Sequence, residues 1–467
     1  MDPTTTAAAP EADTPAAPSV EVHPKPSAVR KRGKRWRKVL FGVALASPVA
    51  VGALWYGVHN VPWLGPLVAN SLRATIGTDN VAALEDFVYG LEDRFNQVWR
   101  KDEKPKAYWN VAEQKAAAAV PVSAPVPAAP LPEQPASEPA LSPFTLPDPG
   151  PLHQNVAAPG DGQWVPMVDA RRPDDPPRML KMLIHPDRSR SWAELFVVAL
   201  DLRQVEVHPV VGYQEPASDA PKAKAYQRFA KIPAEHHEDL LAAFNGGFMA
   251  EHGRYGMSVD GVEFLPPRPD ACTLAEYDDG SLRVGTWKNL AADSARMKWL
   301  RQAPPCMAED EKLNPLLSLE RPTKWGATLD GNTVIRRSAV GMDASGQVLF
   351  VAITNHTTAP ALAKGMRHAG AVSIAQMDVN WSYPKFVTYE PVDGKLTPVA
   401  LADGFEFSPN LYLRERAMRD FFYVTRKTKA SSKATPSSDA AKPASDAAPS
   451  TADTEAPSAP TPAATQP

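Results

Sequence analysis

Cysteine is nearly absent. The 467 residues hold two, Cys272 and Cys306. Neither sits in a Cys-x-x-Cys pair or a Cys/His cluster, which excludes a zinc-ribbon site and thiol-redox chemistry of that type. They are expected to pair with each other, closing a loop of about 35 residues, with two buried free thiols as the alternative. An excess of one charge is lacking too. Fifty Lys and Arg against 53 Asp and Glu leave −3, and no basic face argues for nucleic acid. No internal repeat is present. Large apolar side chains are scarce in residues 1–29 and 428–467, so those segments cannot bury enough surface to offset the entropy of ordering.

Proline is plentiful instead, with 50 in all. It alternates with Ala and Val between about 116 and 160, the pattern of a semi-extended spacer. Seven Lys or Arg between Arg30 and Lys38 precede an uncharged run from Val39 to Val58. Twenty such residues suffice for a helix to cross the hydrocarbon layer. The next basic residue is Arg73, so the positive-inside rule places the N-terminus in the cytoplasm and the rest outside, in a periplasmic or extracellular space. A cleaved signal peptide is the rival reading.

The expected organisation is a basic disordered tail 1–38 and a transmembrane helix 39–58. A juxtamembrane segment 59–115 follows, with an amphipathic helix 79–101, then a Pro/Ala linker 116–160, a folded domain 161–427 and a disordered tail 428–467. In the helix, Val81, Leu84, Val88, Leu91, Phe95 and Val98 recur every three or four residues, a face suited to packing, to the bilayer or to a homodimer.

Within 161–427, strand-like runs lie at 180–185, 194–201 and 204–211, the last two joined by Asp201-Leu202-Arg203 as if in a hairpin. A helix is expected from Pro233 to Ala242, and another over Ala359–Ala369 between strands at 348–354 and 373–377. Interleaved strands and helices predict an α+β domain: a mixed β-sheet with packed helices, preceded by one transmembrane helix and flanked by disordered Pro/Ala-rich segments.

Three segments can carry chemistry. Asn245-Gly246-Gly247-Phe248 follows an apolar run. Its glycines permit close backbone approach and Asn245 offers a donor and an acceptor, although an Asn-Gly turn explains the same residues. Arg337 opens an apolar strand, and a guanidinium can meet phosphate bidentately, unless it is simply a strand-end charge. Asp378-Val379-Asn380-Trp381-Ser382 ends a buried-looking strand. There Trp381 could stack on a sugar ring while Asn380 and Ser382 bond its hydroxyls; a capped turn is the plainer alternative. His356 is an acid/base candidate in a loop.

In order and spacing, Asn-Gly-Gly-Phe, then Arg337-Ser338-Ala339-Val340-Gly341, then a small helix and a strand ending in Asp378 resemble the phosphodiester glycosidase family, over about Leu195 to Phe386. The resemblance implies hydrolysis of a sugar-1-phosphodiester or related glycosidic bond in envelope polysaccharide or glycolipid. It casts Asn245, Gly246 and Gly247 as substrate-positioning groups, Arg337 as phosphate holder and Asp378 as the carboxyl nearest the chemistry. A partner acid is expected for such a reaction, with Glu251, Asp260 and Asp343 within sequence reach. Where the family carries Asp-Gly-Gly-Gly-Ser, this chain has Asp378-Val379-Asn380-Trp381-Ser382, which removes three glycines from an anion-binding loop. A catalytically inactive glycan-binding or scaffold protein is therefore the alternative. No cofactor or metal is implied, although the oxygens of Asp378 and Asn380 suit a hard divalent cation.

Overall fold

A computed structural model describes residues 68, 71–72, 75–118, 143–319, 323–325, 331–405 and 407–427. The chain divides into two units after Val68, and every described strand belongs to the second. Continuous apolar runs such as Leu-Phe-Val-Val-Ala-Leu in Glu194–Asp201 and Val-Leu-Phe-Val-Ala-Ile in Val348–Asn355 form strands buried on both faces. They lie side by side in an eight-stranded sheet that also contains Met179–Ile184, Arg337–Met342 and Ser373–Val379.

Two five-stranded sheets complete the β structure. One orders Val262–Leu265, Met257–Val259, Met297–Ala303, Cys272–Tyr277 and Leu282–Thr286; the other Lys395–Ala400, Phe386–Val392, Leu240–Asn245, Phe421–Arg426 and Val205–Val210. Strand pairing within all three is antiparallel. One core unites them, with Phe196, Val340 and Met377 from the large sheet meeting Phe244, Phe422, Leu274 and Trp299 from the small ones. The opposite face of the large sheet is covered by the helix Ala359–His368 and by Phe144, Trp164 and Trp325. That helix starts on Thr358, whose hydroxyl accepts the Ala361 N–H, with Pro360 inside its first turn.

The expected fold class is corrected: the domain is β-rich with few helices and three sheets, not one mixed sheet layered with helices. The 194–211 hairpin does not form. Glu194–Asp201 pairs inside the large sheet, whereas Val205–Val210, buried at Val205 and Val207, pairs with Phe421–Arg426. The Asp201 carboxylate accepts the Arg203 N–H and the Arg203 and Gln204 side chains, turning the chain from one sheet into another. The expected helix 233–242 is a short turn at Ala234–His236 and then a strand, because Leu240–Asn245 is buried at every position.

The expected span 39–58 and the tails 1–38 and 428–467 lie outside the described residues. Among the described residues no helix is long and apolar enough to cross a membrane. On that finding the spanning-helix architecture, the membrane partner and the single-pass topology are corrected. Of the spacer 116–160, residues 119–142 are likewise outside, while 143–160 bury Phe144 and Val156. The amphipathic helix forms at Thr78–Trp99. Its Asp93 accepts from Arg190 Nε and Nη2 at 2.7 Å each, Asp86 accepts the Thr333 hydroxyl, and Tyr89 packs against the cluster of Phe248, Ile335 and Val379. Phe87, Phe95, Val98 and Trp99 stay exposed.

Cys272 and Cys306 are joined by a disulfide across 34 residues. Both lie in the core. Replacing the pair by serine should lower stability by about 2–5 kcal/mol, since the bridge restricts the unfolded chain. Urea unfolding of Cys272→Ser/Cys306→Ser against the parent checks this; an unchanged midpoint would mean that strand pairing alone fixes this loop.

Candidate active site

Strand ends from the eight-stranded sheet and from the Phe421–Arg426 sheet meet at Asp378. Ser373–Val379 pairs with Arg337–Met342 in a register that shifts between Arg337 and Ala339: Ala339 faces Gln376, but Arg337 faces Val379. One extra residue on the Asp378 strand is a β-bulge, and a bulge re-aims a side chain. Gln376 accordingly bonds Arg337 and the Trp325 carbonyl, while Asp378, two residues on, turns to other partners. Its Oδ2 accepts from Arg419 Nη1 at 2.6 Å and from Asn380 Nδ2 at 2.8 Å.

Asn245 and Asp378, far apart in sequence, are brought together through Ser338. The Ser338 hydroxyl accepts from Asn245 Nδ2 at 2.8 Å and from the Asp378 N–H at 3.2 Å, and it donates to the Asp378 carbonyl. Asn245 Oδ1 accepts the Lys385 N–H. The amide is therefore fully engaged inside the protein.

Gly246 and Gly247 have a specific packing reason. The Gly246 N–H donates to the Asp420 carbonyl and the Gly247 N–H to its Oδ2. A Cβ on Gly246 would sit 2.2 Å from Asp420 Oδ2, and one on Gly247 2.8 Å from the Arg301 guanidinium carbon. The close approach is thus to a buried ion pair: Arg301 Nε reaches Asp420 Oδ2 at 2.8 Å, with side chains 0% and 1% exposed. Tyr383 donates to the Asp420 carbonyl, and its ring carries the Arg419 guanidinium 4.5 Å above the centroid.

Arg337 stands elsewhere. Strand alternation puts it on the face opposite Ser338, where it is fully buried and donates to the carbonyls of Thr357, Trp325, Gly331 and Thr333 and to Gln376 Oε1. Its guanidinium is saturated by the protein and does not face Asp378. His356, at φ 49°, lies against Trp381 with centroids 5.2 Å apart and the rings tilted by 55°, and Arg336 lies over the same indole at 5.0 Å. Burial, then the Arg100 and Arg336 charges, push the imidazole down to about 4, so it is neutral at pH 7. Asn380 Oδ1 accepts the backbone N–H of Ser382 and of Tyr383, closing the turn after Asp378; Ser382 itself is exposed.

Burial raises the Asp378 carboxyl above the usual carboxylate range; Arg419 and His252 oppose this and Asp420 adds to it. Burial, with Arg336 and Arg419 nearby, pushes the Lys385 ammonium down to about 8. Arg419 Nε is buried with no hydrogen-bond partner. The site therefore holds a buried carboxyl, raised in pKa, beside Arg419, which has a donor to spare. Of the partner acids considered, Asp343 is bound to the turn Ser345–Val348 at the far end of the strand, Asp260 accepts the Tyr226 hydroxyl, and Glu251 pairs with His252. No group of three or more His, Cys, Asp or Glu able to hold a metal occurs among the described residues.

Sequence reasoning missed Arg419, Asp420, Arg301, Ser338, Tyr383 and Lys385. Arg419-Asp420 directly before the aromatic strand Phe421-Phe422-Tyr423 was the available signal: adjacent opposite charges at the mouth of a buried strand need partners.

No protein-family model matches the chain, and no curated protein matches it. Among solved structures, the catalytic domain of zebrafish N-acetylglucosamine-1-phosphodiester alpha-N-acetylglucosaminidase, auto-inhibited by its pro-peptide, is weakly similar. Identity is 16% over 54% of this chain and 84% of that one, with a TM-score of 0.35. A hypothetical protein from Synechocystis matches at 10% identity over 55% of this chain and 65% of its own, TM-score 0.26. An exported protein from Burkholderia pseudomallei matches at 10% identity over 50% and 74%, TM-score 0.21.

Proposed function

We propose that the chain is a glycosidase-type hydrolase of sugar-1-phosphodiester or related glycosidic bonds, with Asp378 as proton donor. The observation that carries this reading is the state of Asp378: a buried carboxyl at a strand end, raised in pKa and aimed by a bulge toward Arg419. A general acid must hold its proton at working pH and sit where an oxygen leaves. Protonated Asp378 would give its proton to the departing oxygen as the anomeric C–O bond breaks, and water would add to the sugar carbon and return a proton. Arg419 and Lys385 supply positive charge for an anionic leaving group, the role that the sequence resemblance had given to Arg337.

One observation favours the glycan-binding alternative. The amides of Ser382 and Tyr383 are taken up by Asn380, so this turn offers them to no anion.

The test is hydrolysis of a chromogenic sugar-1-phosphodiester panel by the full chain. Asp378→Asn should cut turnover by about 10²–10⁴-fold, the usual worth of a general acid, with the melting temperature held. The sign of the pH effect follows from the raised pKa: the acid form is lost as pH rises through it, so the parent's rate should fall on the alkaline side. Equal turnover in Asp378→Asn would sink the assignment, and a folded parent inactive across the panel would favour binding without cleavage.

A further inference from the structure

A cleft of about 750 Å³ lies apart from the Asp378 cluster and shares no lining residue with it. Its volume is in the range of small-ligand sites, about 300–1,000 Å³. Lys224, Arg228, Lys231 and Arg416 line it, with no carboxylate among the lining residues. The cations are not equivalent. Arg228 donates to the Gly212 and Pro216 carbonyls and shapes the wall, while Lys224 is 3.3 Å from exposed Asp219. Lys231 has no carboxylate partner among the described residues, and Arg416 leaves Nη1 unbonded while Nε and Nη2 hold the carbonyls of Phe229 and Arg228.

Aromatic faces accompany these charges. Phe229 is 65% exposed and Tyr213 39%, and the Arg416 guanidinium lies 5.2 Å from the Tyr213 ring centroid. Phe229, open to water on the cleft wall, offers a ring face for stacking. Rings for apolar sugar faces, with ammonium and guanidinium groups for anionic substituents, define one ligand chemistry. We infer that this cleft binds a short acidic oligosaccharide. A single-stranded nucleic acid would use similar groups, but the lining offers four cations in one pocket and not a basic groove tracking a backbone.

The cleft wall is continuous with the chain that carries Arg419. Tyr213 and Gln214 donate their N–H groups to the carbonyls of Ala417 and Met418. Binding does not depend on the hydrolytic reading, because its readout is affinity and Asp378→Asn should leave it intact.

The experiment is calorimetric titration of the full chain with tetragalacturonate, maltotetraose and octathymidylate. Saturable binding of tetragalacturonate, weakened by salt, is expected, with maltotetraose far weaker. Lys231→Glu and Tyr213→Ala should each weaken it about tenfold, equivalent to about 1.4 kcal/mol. Lys231→Glu breaks no ion pair among the described residues, so its effect is separable from folding; Arg416→Ala should follow it. Equal affinity for maltotetraose, tighter binding of octathymidylate, or indifference to Lys231→Glu would each overturn the inference.

Discussion

Arg301→Met is expected to destabilise the protein by about 3–5 kcal/mol, because it leaves the Asp420 carboxylate buried with its cation removed. The geometry explains the size. Arg301 makes two bonds to Asp420, at 2.8 and 3.2 Å, and its remaining donors reach the carbonyls of Tyr255, Gln302 and Phe248. One side chain from Met297–Ala303 thus ties the Gly246–Phe248 loop to the start of Phe421–Arg426. Asp420→Leu should be damaging for the mirror reason, an unpaired guanidinium in the same place. In Arg301→Met/Asp420→Leu neither charge remains, so the loss should be smaller than the sum of the single variants. Denaturant unfolding of the four proteins closes the cycle. Additive single losses would mean that the two side chains do not act as a pair.

The parts of this fold visible in the sequence are those fixed by local pattern. Val348–Asn355 and Ala359–His368 announce themselves through an uninterrupted apolar run and through Thr358-Ala359-Pro360 at a helix start. Leu240–Asn245 was obscured because Leu-Leu-Ala-Ala suits a helix as well as a strand, and burial between Phe386–Val392 and Phe421–Arg426 decided it. Which sheet a strand joins is a matter of partners remote in sequence, so Val205–Val210 was assigned to its neighbour instead of to residues 421–426. At the site the same limit applies. The Asp378 strand end and the Gly-Gly loop were legible as motifs, but the bulge that re-aims Asp378 depends on register with residues 337–342. Arg301 and Asp420, 119 positions apart, justify the two glycines only once the chain between them has folded back.

Arg337→Ala separates an anion-holding arginine from a structural one, and it should fail to fold stably. The guanidinium donates to five acceptors, four of them backbone carbonyls drawn from Trp325, Gly331, Thr333 and Thr357. Each buried acceptor left without a donor costs about 1–3 kcal/mol before any rebinding of water. The side chain also leaves a void beneath the sheet. Partial relaxation will make the total less than the sum, but a loss above about 4 kcal/mol is expected, a large fraction of what a domain has. Arg337→Lys keeps the charge, yet an ammonium has three donors and no planar fork, so its loss should be intermediate, about 2 kcal/mol. A phosphate-holding Arg337 would behave oppositely: native melting for both variants, with KM raised and the lysine form partly active. Thermal melts read alongside substrate titrations distinguish the two, and unaltered melting of Arg337→Ala would return the anion-binding role to Arg337 and remove it from Arg419.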